Sequence, residues 1–116
     1  MRFLASIHVR SLEQWIKVVT FANDNCITLT IDVDEKIEYE NMLALAYVKG
    51  EITLKQFDSY IPIAESNTPL DILRAAACNL ESGLSSEPSS ENTLNIALIN
   101  KALSSKEMAK YYTSSA

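Results

Sequence analysis

The rhythm of apolar residues changes once in this chain, near Val33, and that change limits what it can fold into. Before it, Phe3, Ala5, Ile7 and Val9 alternate with Arg2, Leu4, Ser6, His8 and Arg10, and Ile27, Leu29, Ile31 and Val33 alternate with Thr28, Thr30 and Asp32. Alternation with a period of two gives a strand one apolar face. After Val33 the apolar residues recur at helical spacing to the end of the sequence. A chain that supplies two strands and then only helices cannot finish its own sheet, because a two-stranded sheet is marginal unless it is covered or extended. The pattern therefore predicts association.

The first strand gives way to a helix at Ser11-Leu12-Glu13-Gln14, a capping box in which Ser11 and Gln14 each satisfy an otherwise open amide. Leu12, Trp15, Ile16 and Val19 fall on one face of that helix, and the polar run from Ala22 to Asn25 ends it. The strand, helix, strand order suits a parallel pair with a right-handed crossover. An antiparallel arrangement through a third, intermolecular strand competes with it. Beyond the acidic stretch from Asp32 to Glu40, the spacing predicts a helix over roughly 38–49, with Met42, Leu43, Ala46 and Tyr47 on its apolar side and Gly50 at its left-handed end. Thr53-Leu54-Lys55-Gln56 is a second capping box, opening a short helix that Pro62 ends. Thr68 with Pro69 starts another, carrying Leu70, Leu73, Ala76, Ala77 and Leu80 to Gly83. Residues 82–92, rich in Ser, Pro and Glu, read as a mobile loop. A further helix follows with Leu94, Ala97, Leu98 and Lys101 aligned and Ile99 and Leu103 alongside, then a last short helix with Met108, Tyr111 and Tyr112, and a fraying tail.

The expected fold class is α+β: one domain over 1–116, with a small N-terminal strand-helix-strand unit at 1–34 followed by four to five packed helices over 35–112. A chain of 116 residues can bury one core without disulfides or a structural metal. Its 47% hydrophobic and 22% charged content is that of an ordinary globular protein. With 15 acidic against 10 basic residues the net charge is −5, which repels a phosphate backbone and argues against direct binding of nucleic acid. Cys26 and Cys78 lack the spacing of a disulfide scaffold, zinc site or redox motif and are expected to be small buried hydrophobes. No continuous apolar segment marks a signal peptide, and none approaches the roughly 18 to 20 residues that span a bilayer. The expectation is a cytoplasmic protein without membrane attachment, in a cell or in a host infected by a virus or phage.

No motif specifies a chemistry. Asp32-x-Asp34 with Glu35 and Glu38 nearby could offer oxygens to a hard cation, but negative charge at the start of a helix explains the same residues through the helix dipole. No metal and no cofactor are expected. His8, the sole histidine, has no Ser or Cys signature to complete a nucleophile and base pair. The two glycines, Gly50 and Gly83, both close helices and cradle no phosphate. Trp15, Tyr47 and Phe57 read as core. Tyr111 and Tyr112 are adjacent, so one narrow helix face cannot bury both, and with Met108 they are candidates for contact with a partner. Asp32, Asp34, Glu35, Glu38 and Glu40 form the second candidate surface, one that would face a basic site.

The segment Leu43 to Phe57, with its Gly50-Glu51-Ile52-Thr53 turn, resembles the helix, turn, helix segment of small bacterial antitoxins that inhibit Fic-type transferases and of other short prokaryotic helical modules. The Ser/Thr-x-x-x-Glu-Gly/Asn inhibitory motif of those antitoxins has no match upstream, and their fold is all-helical. The resemblance implies a bacterial or phage origin and nothing finer. The sequence leads to a small non-enzymatic regulatory or inhibitor protein that binds another protein, such as an anti-defence (anti-CRISPR-like) product of a phage or mobile element. The partner could then be a nucleic-acid-handling protein. The alternative is a structural subunit, a homodimer or larger complex completed by intermolecular sheet pairing.

Overall fold

The computed structural model describes residues 3–6, 8–63, 67–84 and 90–113, with side chains described for 8–63, 67–82 and 90–111. The protein is mainly helical with one small sheet. Its elements are β1 (Phe3–Ser6), α1 (Leu12–Asp24), β2 (Ile27–Thr30), α2 (Val33–Val48), α3 (Leu54–Ser59), α4 (Pro69–Leu84), α5 (Ser90–Leu103) and α6 (Lys106–Thr113). The strands pair in parallel, with Phe3 opposite Ile27 and Ser6 opposite Thr30. The expected mixture of two leading strands and later helices holds at this level, while several boundaries move.

Helix ends follow local side-chain chemistry. Ser11 Oγ accepts the Gln14 N–H at 3.1 Å, and the Gln14 side chain accepts from Arg10 N–H at 2.8 Å, one residue upstream of the amide expected. Thr53 and Gln56 form a complete reciprocal box, at 3.1 Å and 2.9 Å. Thr68 and Asp71 do the same for α4, with Pro69 at the first helical position. Beyond α2, Gly50 at φ +82° lets its own N–H reach Tyr47 O and lets Glu51 N–H reach Ala46 O, closing the helix in a Schellman turn.

The start of α2 departs from expectation. Asp32 accepts the amides of Asp34 and Glu35 at 3.0 and 3.3 Å, so the helix begins at Val33 rather than near 38, and β2 stops at Thr30. The alternation from Ile27 to Val33 had drawn the strand too far, since an N-cap aspartate ends it sooner. The expected loop at 82–92 also contracts. Helix α4 continues to Leu84 and α5 begins at Ser90, while 85–89 lie outside the described residues. Cys26 sits in the turn before β2 at φ +56° and is exposed, as is Cys78. Neither is the buried hydrophobe expected. On α5 the inward face is Asn95 and Ile99, whereas Leu94 is 60% exposed. The helix turns that way because α4 and α2 both pack against it, and Ile99 is its fully buried contact.

Trp15 organises the core. It is fully buried, its ring stacks on Tyr39 of α2 at 5.6 Å, and its indole N–H donates to the Tyr60 carbonyl at 3.0 Å. The Tyr39 hydroxyl in turn donates to the Val9 carbonyl at 3.3 Å. A few residues along α1, the Asn23 amide donates to the carbonyls of Ile61 and Ser59 at 3.0 and 3.3 Å and accepts the Ile63 N–H at 2.9 Å. One face of α1 thus holds α2, the end of α3 and the segment after β1. Leu43, Phe57, Leu73, Ile99 and Met108 complete the buried layer.

Two stability outcomes follow from this packing. Trp15→Phe keeps most of the ring burial and loses the bond to Tyr60, so urea denaturation should register a loss of about 1 to 3 kcal/mol, and Trp15→Ala about 3 to 5 kcal/mol. The Asn95 carboxamide oxygen is buried without a hydrogen bond. Replacing a group of that kind by an apolar one of similar shape is neutral or favourable, so Asn95→Leu should raise the unfolding free energy by up to about 2 kcal/mol, read as a higher urea midpoint. A lowered midpoint would show that the amide is engaged in solution.

Candidate functional site

Two surfaces carry the residues singled out in the sequence, and they lie at opposite ends of α2. At its start, Asp32, Asp34 and Glu38 are exposed. Val33 and Ile37, four residues apart and therefore on one face, are 67% and 42% exposed. Glu35 is half-buried and engaged by His8, whose Nδ1 lies 2.8 Å from its Oε1. That contact ties the segment after β1 to α2; His8 itself lies beyond the strand rather than on it. Glu40 is only 9% exposed, on the inward side of the helix, and does not belong to the acidic surface expected for it. The surface is consequently three exposed carboxylates, of which Asp32 caps the helix, beside two aliphatic side chains. Asp34 and Glu35 occupy the first helical turn, where the dipole favours them, in accord with the helix-start explanation.

At the other end, Met108 is fully buried in the protein's own core, so it is not open to a partner as expected. Ser105 Oγ accepts its N–H at 3.3 Å and fixes the turn of α6 that points it inward. Tyr111 is half-buried beside the core, and the Tyr112 side chain lies outside the described residues. Between α3 and α6 an open cleft of about 440 Å³ is lined by Leu54, Lys55, Asp58, Lys106, Glu107, Lys110 and Tyr111. Glu107 is held by the Tyr47 hydroxyl, which donates to its Oε2 at 3.2 Å. Lys110 lies 5.0 Å from the centre of the Tyr111 ring. A second cleft of similar size lies where α1 ends against the segment after α3, lined by Asn23, Asp24, Asp58, Ile61 and Ile63 among others.

Among the described residues no group of three His, Cys, Asp or Glu side chains could hold a metal ion. His8 is paired with a carboxylate and not with a hydroxyl or thiol. No helix among the described residues is long and apolar enough to cross a membrane. No family model matches the chain, and neither a curated protein nor a solved structure does. The turn that resembles the antitoxin segment is made here by the Gly50 closure and the Thr53 box, both local devices.

Sequence reasoning missed the meeting of Lys55 with Lys106 and Lys110, because some 50 positions separate them and no cluster is visible along the chain. The exposed pair Val33 and Ile37 had a signal: Asp32 followed three residues later by Glu35 is a helix start, and it places both residues on the first two turns.

Both tyrosines of α2 give a pH dependence. Burial raises the Tyr39 pKa above its ordinary value, assisted by the charges of Glu38 and Glu35. Burial also raises that of Tyr47, followed by the hydrogen bond to Glu107 and its charge. Each phenol holds its proton more tightly in the folded chain than in the unfolded one. Their contribution is therefore complete below about pH 10 and is lost as pH rises through the raised values. Urea midpoints should fall as pH rises above about 10, and the fall should be shallower in Tyr39→Phe and Tyr47→Phe.

Proposed function

We propose that this protein is a small regulatory or inhibitor protein without catalysis of its own, acting by binding another protein through the start of α2. The observation that supports this reading is the pairing of two exposed aliphatic residues, Val33 and Ile37, with the exposed carboxylates of Asp32, Asp34 and Glu38 at the start of one capped helix. Apolar contact supplies affinity, and the surrounding charge selects a basic partner and steers its approach. A basic site is the rule on proteins that handle nucleic acid, so this acidic chain would compete for such a site rather than bind nucleic acid itself. An anti-defence product of a phage or mobile element is one protein of that description.

The sheet favours a second reading. Among the described residues it has two strands of four residues each, so a structural role in which another copy or subunit extends it is the alternative. The two readings respond differently to salt. With a partner captured from the native host, association through α2 should be fast at low ionic strength and slow as the Debye length shrinks from about 10 Å at 0.1 M salt to about 3 Å at 1 M. Asp34→Lys with Glu38→Lys should slow it further while leaving the circular dichroism spectrum unchanged. A rate indifferent to both salt and charge reversal would leave sheet pairing as the mode of assembly.

A further inference from the structure

The cleft between α3 and α6 has a complement on this same molecule. Its walls are the half-buried apolar side chains of Leu54 and Tyr111, and its rim carries Lys55, Lys106 and Lys110 against Asp58 and Glu107. Its three lysines outnumber its two carboxylates, a local excess of positive charge on a chain whose net charge is −5. At the other end of α2, Val33 and Ile37 project as an apolar pair flanked on one side by Asp34 and Glu38 and on the other by the half-buried Lys36. Each surface offers what the other lacks: an aliphatic knob with negative charge, and an apolar-walled cleft with positive charge. One molecule cannot join them. Val33 and Tyr47 are fourteen residues apart on a continuous helix, which at about 1.5 Å per residue sets them about 20 Å apart.

We propose that the α3–α6 cleft is a docking site for a second copy of this chain, which inserts Val33 and Ile37 at the start of its α2 and sets Asp34 and Glu38 against Lys55 and Lys106. The contact is heterologous, knob of one copy into cleft of the next, so it generates a ring or an open chain rather than a two-fold dimer. It needs no other protein and is independent of the partner reading. It uses the same α2 surface, so self-association and capture of a partner exclude each other.

Sedimentation velocity of the purified protein tests this. Two variants are needed: Val33→Ser with Ile37→Ser removes the knob, and Lys55→Glu with Lys106→Glu removes the cleft. All four positions are exposed, and the new glutamates fall in the first turns of α3 and α6, where the helix dipole favours them, so both variants should fold. The wild type should exceed the 12.9 kDa of one chain at about 100 µM in low salt, and association should weaken by about tenfold or more in 0.5 M salt. Each variant alone should be a monomer. Mixed in equal amounts, they should form a one-to-one dimer that grows no further, because each mixed pair retains one intact knob and one intact cleft. A wild type that remains monomeric, variants that still associate alone, or a mixture that stays monomeric would each overturn the proposal.

Discussion

The burial of Trp15 is the interaction on which the rest of the fold depends. Its ring, its N–H and the partners of both connect α1, α2, the exit of α3 and the segment after β1. An aromatic side chain of this size removes roughly 150 to 250 Å² from water, which at about 25 cal/mol per Å² is worth a few kcal/mol. That is a large fraction of the 5 to 15 kcal/mol typical for a small domain. Geometry adds to area here. The indole hydrogen bond fixes how far α1 lies from Tyr60, and stacking on Tyr39 fixes the side of α2 that faces inward. With Tyr39, Leu43 and Ala46 directed to the core, Asp34 and Glu38 are left to solvent.

Helix α2 is the spine around which the two surfaces are arranged. Its first turn begins where Asp32 captures two amides, and its last ends where Gly50 takes a positive φ. Acidic residues lie at the positive end of its dipole, as that dipole prefers. Near its other end Tyr47 packs on Phe57 at 5.5 Å and reaches Glu107, so α3 and α6 are both brought to the end of the helix away from Asp32. The chain is thereby polarised: carboxylates with exposed aliphatic residues at one end, and lysines around an apolar-walled cleft at the other.

The sheet is the smaller part of this framework. Four residues per strand in a two-stranded parallel pair are too few to stand alone, and they are held because α1 connects them and the core receives Leu29 and Ile31. Among the described side chains, the helices carry most of the buried ones. A surface that binds through α2 would therefore rest on the more firmly packed portion of the molecule.

What the sequence alone determined is local. Ser11, Thr53, Thr68 and Gly50 mark helix ends through hydrogen bonds that span at most five residues, and Trp15 and Phe57 are inside because of where they stand in a helical pattern. Tertiary structure decided everything that depends on which elements become neighbours. It turned Asn95 inward and Leu94 outward, placed Glu40 and Met108 in the interior, and left Cys26 and Cys78 at the surface. Lys55, Lys106 and Lys110 meet only because α6 returns to α3. The reason is one of range. A capping bond is decided within a turn of its own helix, whereas the inward face of α5 or the fate of Met108 is set by the best collective burial of several helices, and short apolar periodicities leave more than one rotation of each helix open.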